Sequence, residues 1–143
     1  MPRLSRIAVR VALVHLVLGF TVGALLLAAK GGAPVPGVLW RLRAAHVEWL
    51  VVGWTVELAM GVAFWILPRF RVPPLRGDER PARLALALLN VGVWLVAAGT
   101  ALGAPVGLAQ MGRIAELGAA AAFAVHAWPR VRPPGAGRQA AGS

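Results

Sequence analysis

Ionisable and amide side chains interrupt the apolar stretches of this sequence. His15 lies in the first stretch, His46, Glu48 and Glu57 lie in the second, and Asn90 lies in the third. If these stretches are embedded in a membrane, each ionisable group costs about 2.5–3.5 kcal/mol on insertion scales and is a functional candidate. Counting from the ends of the stretches places His15, Glu57 and Asn90 at a similar depth, near the middle. If their helix faces meet, Glu57 holds His15 in one tautomer or shares a proton with it, and a purely structural pair is the alternative.

His46 has a different position, less than one helical turn inside the end of its stretch. At about 100° per residue, the eleven positions from His46 to Glu57 bring both within about 20° of one helix face. Gly53 lies near that face, and a small residue one or two turns from a histidine leaves room for a flat cofactor. The pattern fits an interfacial or hydrogen-bonded histidine and a heme ligand equally well.

Other polar residues have simpler interpretations. Arg113 and Glu116 are three positions apart, so we expect a structural ion pair on one helix face. His126 lies about one turn from a helix end, next to Trp128, where we expect it to meet lipid headgroups. Glu48 lies close enough to the outer surface that we expect it to be solvated.

Four apolar blocks must position these side chains. Each is about 20 residues long, enough to cross a hydrocarbon core of about 30 Å, and in lipid only a helix satisfies its own backbone. The blocks cover approximately 7–29, 44–67, 83–103 and 106–128. The sequence therefore predicts an all-α, integral membrane four-helix bundle over 1–130, followed by a disordered polar tail over 131–143.

The composition supports a membrane protein. Hydrophobic residues make up 59% of the 143 residues and charged residues 14%, whereas soluble domains average about 25% charged. The absence of cysteine excludes disulfides, thiolate metal sites and covalently attached heme. The net charge of +10 comes from basic residues that flank the apolar blocks, which favours lipid headgroups over nucleic acid as the partner.

The distribution of basic residues predicts an orientation. Eleven lie at the N-terminus, in the second loop and in the tail, namely Arg3, Arg6, Arg10, Arg69, Arg71, Arg76, Arg80, Arg83, Arg130, Arg132 and Arg138. Four lie at the other ends of the blocks, namely Lys30, Arg41, Arg43 and Arg113. By the positive-inside rule both termini are cytoplasmic, in a multi-pass protein of the cell (inner) membrane.

The second block resembles the second transmembrane helix of heme–copper oxidase subunit I. The resemblance rests on RAAHVEWLVVGW (43–54) and GVAFWILPR (61–69). In that family, which includes cytochrome c oxidases, cbb3-type oxidases and nitric oxide reductases, an Ala-His pair opens this helix near the outer surface. The spacing from His46 to Pro68 is similar. The first block resembles the family's preceding helix more loosely, with Gly19 and Gly23 as a small-residue pair suited to close packing or dimerisation.

The resemblance implies that His46 is an axial ligand of a non-covalent heme b. Arg41 and Arg43 are then candidates to pair with the heme propionates. Met111, at a similar depth, or His46 of a second copy in a homodimer supplies the other axial ligand, unless that position stays open for a gas. The histidines of the family's copper site are absent, so we do not expect the chain to reduce oxygen or nitric oxide alone, and no catalytic residue is assigned.

Three functions remain open on the sequence. The first is a small b-type heme protein acting in electron transfer with a respiratory redox partner, in heme handling or in gas sensing. The second is a heme-free structural or assembly subunit of a respiratory complex. The third is a dimeric proton-coupled transporter working around Glu57 and His15.

Overall fold

Four helices build the protein, whose computed structural model describes residues 1–70 and 73–131. They are α1 (Arg3–Lys30), α2 (Gly37–Ile66), α3 (Arg80–Leu102) and α4 (Val106–Ala127). The described residues contain no strand, and the predicted all-α class is confirmed. Apart from Val131, the tail predicted over 131–143 lies outside the described residues, as does Arg71 of the second loop.

Three of the four predicted spans are confirmed as helices long and apolar enough to cross a membrane, namely α1, α2 and α3. The fourth helix, α4, does not reach this level. Its 22 residues include Arg113, Glu116 and His126, and much of the remainder is alanine and glycine of low hydropathy. A helix of this kind is held in a membrane protein chiefly by packing against its neighbours.

The buried positions of α1 and α3 recur at alternating intervals of three and four residues. In α1 they are Ser5, Ala8, Ala12, His15, Gly19, Val22 and Leu26. In α3 the same intervals connect Ala82, Ala85, Leu89, Gly92, Val96 and Gly99. This seven-residue period is typical of helices that cross at a shallow angle, so long seams of contact run along the bundle.

Helix α2 changes its winding along its length, which the sequence analysis did not predict. It begins as a 3₁₀-helix (Gly37–Arg41), becomes α-helical (Leu42–Glu48), opens into a π-helix (Trp49–Val56) and returns to α-helix (Glu57–Ile66). Glu48 is buried, and the next buried residue of the helix, Gly53, is accordingly five positions further along the chain. A π turn inserts one extra residue into a helix, so residues on either side of it both face α1.

A short turn joins α3 and α4 into a hairpin. Gly103 has φ +64°, a left-handed conformation that glycine adopts readily, and it caps α3. The two helices touch at Gly92 and Gly112, where an added β-carbon on either residue would lie 2.8 Å from the carbonyl oxygen of the other. The backbones are therefore in direct contact along this hairpin.

Arg130 fastens the end of α4 to the end of α2. Its side chain is 1% exposed and donates to the carbonyl oxygens of Phe64 (3.2 Å), Leu67 (2.8 Å) and Pro68 (3.1 Å). These carbonyls lie at a helix C-terminus, where a cation is favourable. Burial lowers the pKa of the Arg130 guanidinium from its usual value, while the acceptors stabilise its charged form.

The expectation that His126 meets lipid headgroups was wrong. The side chain is 4% exposed, its Nδ1 donates to the carbonyl of Asp78 at 2.9 Å, and its Nε2 accepts from Arg130 at 2.9 Å. The imidazole also stacks on Phe64, with ring centroids 5.1 Å apart. The position of His126 near a helix end did not predict its burial, because the burial comes from the second loop, which contacts the residue at Asp78.

Candidate functional site

His46 lies on α2 with one ring nitrogen engaged by α1. Its Nδ1 is 2.7 Å from the carbonyl oxygen of Gly19. A carbonyl only accepts, so Nδ1 carries the hydrogen and donates it, and the lone pair of the neutral ring is on Nε2. The histidine thus has a fixed tautomer and a nitrogen suited to a metal.

A groove with a volume of about 290 Å³ adjoins this ring. Its lining comes from α1 and α2 and consists of Gly23, Leu26, Leu27, Lys30, Trp40, Arg43 and His46. Aliphatic and indole surface is therefore combined with two cationic side chains. Apolar walls with a few placed charges are typical of sites for amphiphilic cofactors.

Gly23, rather than Gly53, provides the space next to His46. A β-carbon on Gly23 would lie 2.6 Å from Cε1 of His46, whereas one on Gly53 would lie 2.7 Å from Cγ of His15. Helical-wheel counting put Gly53 near His46 because it assumed a regular helix. The extra residue of the π segment and the antiparallel partner α1 decide which glycine each histidine meets.

The other predicted cofactor residues are dispersed. Arg43 lines the His46 groove, while Arg41 lines a neighbouring cavity of about 440 Å³ that also includes Arg43 and Arg113. Met111 is 62% exposed on α4, and the described contacts do not join it to His46. Lys30, which the sequence analysis counted only as a flanking charge, lies in the groove.

A second polar cluster joins α1, α2 and α3 in the interior, at the three residues for which the sequence indicated a similar depth. His15 Nδ1 lies 3.2 Å from Glu57 Oε2 and 3.0 Å from the carbonyl oxygen of Gly53. Asn90 Nδ2 donates to Glu57 Oε1 at 2.8 Å. His15 and Glu57 are 0% and 1% exposed. His15 Nε2 is buried without a hydrogen-bond partner and its ring is tilted against Trp94, with centroids 5.8 Å apart.

A third cluster corrects the expectation that Glu48 is solvated. The Glu48 side chain is 3% exposed, because Arg113 of α4 covers it with a 2.7 Å contact from NH2 to Oε2. The predicted Arg113–Glu116 ion pair is confirmed at 2.8 Å. One arginine thus serves two carboxyl groups, a link that depth counting on α2 alone does not reveal.

Comparisons with protein-family models, with curated proteins and with solved structures found no match to this chain. Its candidate sites are therefore judged on their own geometry. Of the three clusters, the His46 groove combines a nitrogen available to a ligand with a cavity. The other two clusters are made of side chains that mainly bind one another.

Proposed function

We propose that this chain is a small membrane protein that binds heme b non-covalently through His46. The observation that carries the proposal is the 2.7 Å hydrogen bond from His46 Nδ1 to the Gly19 carbonyl oxygen. Histidines that bind metals almost always donate their other ring N–H to a carbonyl or carboxylate, which fixes the tautomer and strengthens the ligand. His46 makes a bond of this kind to Gly19, so its tautomer already suits a metal ligand.

The groove next to His46 fits the chemistry of a heme. Leu26, Leu27 and Trp40 offer apolar surface for a macrocycle, and Lys30 and Arg43 are cations suited to two propionates. Because Gly23 has no side chain, the ring of His46 can lie close to α1. Lys30 and Arg43 thereby take the role that the sequence analysis gave to Arg41 and Arg43.

The resemblance of α2 to the heme-ligating helix of heme–copper oxidases supports the same assignment. The basic residues also separate between the two ends of the bundle. Arg130 reaches Pro68 at one end, while Lys30 and Arg43 share a groove at the other. We place the richer basic end and both termini in the cytoplasm and His46 near the outer face of the cell (inner) membrane.

The second axial position distinguishes the possible roles. Since Met111 is exposed and away from the described groove, we favour His46 of a second copy, which places one heme at a two-fold homodimer interface. Bound in this way, heme would supply a one-electron redox centre for exchange with a respiratory partner. An open axial position would instead bind a diatomic gas.

Visible absorption spectra of the purified full-length protein, oxidised and dithionite-reduced, test the proposal after expression with added heme. We expect a Soret band and sharp reduced α and β bands at one heme per two chains. The variant His46→Asn can keep a donor to the Gly19 carbonyl but lacks the ligand nitrogen, so it should fold and lose the heme. Met111→Leu is the matched control and should keep it.

Two results would contradict heme binding at His46. The first is a folded, helical wild-type protein without a Soret band, which would favour a heme-free structural subunit. The second is His46→Asn with full heme content and an unchanged spectrum. Loss of heme from Met111→Leu at one heme per chain would instead replace the dimer by ligation within a single chain.

A further inference from the structure

Three side chains from three different helices meet in the interior of the bundle. They are His15 of α1, Glu57 of α2 and Asn90 of α3, and their contacts are independent of the His46 groove. We infer that these residues form an intramembrane proton-binding site in which the proton is held by the imidazole of His15 and Glu57 is its counter-ion. The ligand of this site is H⁺ itself.

The hydrogen-bond donors identify which atoms carry hydrogen. His15 Nδ1 faces two acceptors, the Gly53 carbonyl oxygen at 3.0 Å and Glu57 Oε2 at 3.2 Å, so it must donate. Asn90 Nδ2 also faces two acceptors, Glu57 Oε1 and the Leu86 carbonyl oxygen, both at 2.8 Å. The orientation of the Asn90 amide is therefore determined by its partners.

Glu57 receives a donor at each carboxyl oxygen. The described contacts offer no acceptor for a proton on this carboxyl group, and two donors match a carboxylate. An isolated carboxylate that is 1% exposed would be very unfavourable. A positive charge must accompany it.

His15 is the one side chain in the described contacts of this cluster that can provide that charge. The other neighbours are Asn90 and Trp94 of α3, which are neutral, and no side chain of α4 is among these contacts. With His15 as imidazolium and Glu57 as carboxylate, the cluster is neutral overall and every donor of Asn90 and Nδ1 is satisfied.

The remaining atom, His15 Nε2, explains how the proton exchanges. It is buried without a hydrogen-bond partner and belongs to a ring tilted by 51° against the indole of Trp94. An aromatic neighbour tolerates a cationic ring better than aliphatic surroundings do. Since Nδ1 is committed to two acceptors, the proton that exchanges is the one on Nε2.

Nuclear magnetic resonance of the full chain, labelled with ¹⁵N-histidine and reconstituted in lipid bilayers without added heme, tests the inference. The chain has three histidines, so His46→Asn and His126→Gln assign the His15 signals. We expect two protonated ring nitrogens for His15 at neutral pH. In Glu57→Gln we expect a neutral ring protonated at Nδ1 alone, because the counter-charge is lost while the Gly53 carbonyl remains.

Glu116→Gln is the matched control, because it removes a carboxylate from α4 that does not contact His15, and it should leave the His15 signals unchanged. A neutral His15 in the wild-type protein overturns the inference, as does an imidazolium that persists in Glu57→Gln. If Glu57→Gln does not fold, the wild-type spectrum decides alone. Because the sample contains no heme, failure here leaves the proposed heme site untouched, and the reverse also holds.

Discussion

A β-carbon on Gly53 would lie 2.7 Å from Cγ of His15, so the imidazole of α1 fills the space of the side chain that α2 lacks. The relationship is reciprocal, because Gly23 of α1 makes room for His46 of α2 in the same way. Each helix therefore presents a histidine to a glycine of the other. Both candidate sites depend on this close approach.

Gly53→Ala should destabilise the protein by about 1–3 kcal/mol, the usual effect of overpacking a well-filled core. The His15 ring cannot move aside without losing its bonds to Gly53 and Glu57. Denaturant unfolding in mixed micelles, followed by circular dichroism, measures the change. Gly107→Ala is the control, since nothing lies within 4 Å of its added carbon. Equal stabilities of the two variants would show that α1 and α2 are not in such close contact.

Gly23→Ala should weaken the proposed binding of heme while leaving the helices formed. The new carbon would lie 2.6 Å from Cε1 of His46 and would displace the ring from the Gly19 carbonyl. Loss of such support typically lowers metal affinity by about 10–100-fold. Heme titration followed at the Soret band measures the affinity. Gly118→Ala, which has one ordinary contact of 3.4 Å to Leu88, should bind heme normally. Wild-type affinity in Gly23→Ala would argue against a groove beside that residue.

How much of these sites is predictable from sequence depends on the information each requires. The similar depth of His15, Glu57 and Asn90 followed from the lengths of the apolar blocks, whereas their contacts with one another are seen only in the folded chain. The burial of Glu48 did not follow, because it requires knowing that Arg113 of α4 faces it. Hydropathy indicates the depth of a residue in a span. The rotation of each helix about its own axis, which decides the side chains that face a neighbouring helix, is set by packing.

The π segment of α2 illustrates the second limit. Its sequence, Trp49–Val56, reads as ordinary apolar helix, and only the five-residue step between buried Glu48 and Gly53 reveals the extra residue. The same applies to Arg130, which looked like one more flanking charge. Its role depends on carbonyl groups more than sixty positions earlier in the chain.

Arg113→Gln should destabilise the protein, because it leaves the buried Glu48 next to Glu116 without a cation. Since Arg113 is 54% exposed, solvent moderates the effect. Adding Glu48→Gln should recover part of the loss, with a coupling energy of about 0.5–3 kcal/mol in a double-mutant cycle. Unfolding of the four proteins in one detergent measures it. Strict additivity of the two substitutions would show that the residues do not interact in the folded protein.

Arg130→Met should free the end of α2. The substitution leaves the carbonyls of Phe64 and Leu67 and the Nε2 of His126 without their donor, and each unsatisfied buried group costs about 1–3 kcal/mol. Hydrogen exchange measured by mass spectrometry should rise at the C-terminal turn of α2. Arg130→Lys should rescue little, because an ammonium cannot reproduce the planar guanidinium fork. Arg69→Met, at an exposed position, is the control and should leave hydrogen exchange unchanged. Unchanged protection of the C-terminal turn of α2 in Arg130→Met would contradict the capping role of Arg130.

The π segment lies between the two site residues of α2, with His46 of the groove before it and Glu57 of the interior cluster after it. Removing one residue from Trp49–Val56 would restore a regular helix with nearly the same length and hydropathy. Everything beyond the deletion would then rotate by about 100° around the helix axis. His46 would keep its partner on α1, whereas Glu57 would turn away from His15. The winding of this one helix thus sets the phase between its two halves, and a single-residue deletion separates the groove from the interior cluster without changing any side chain in either.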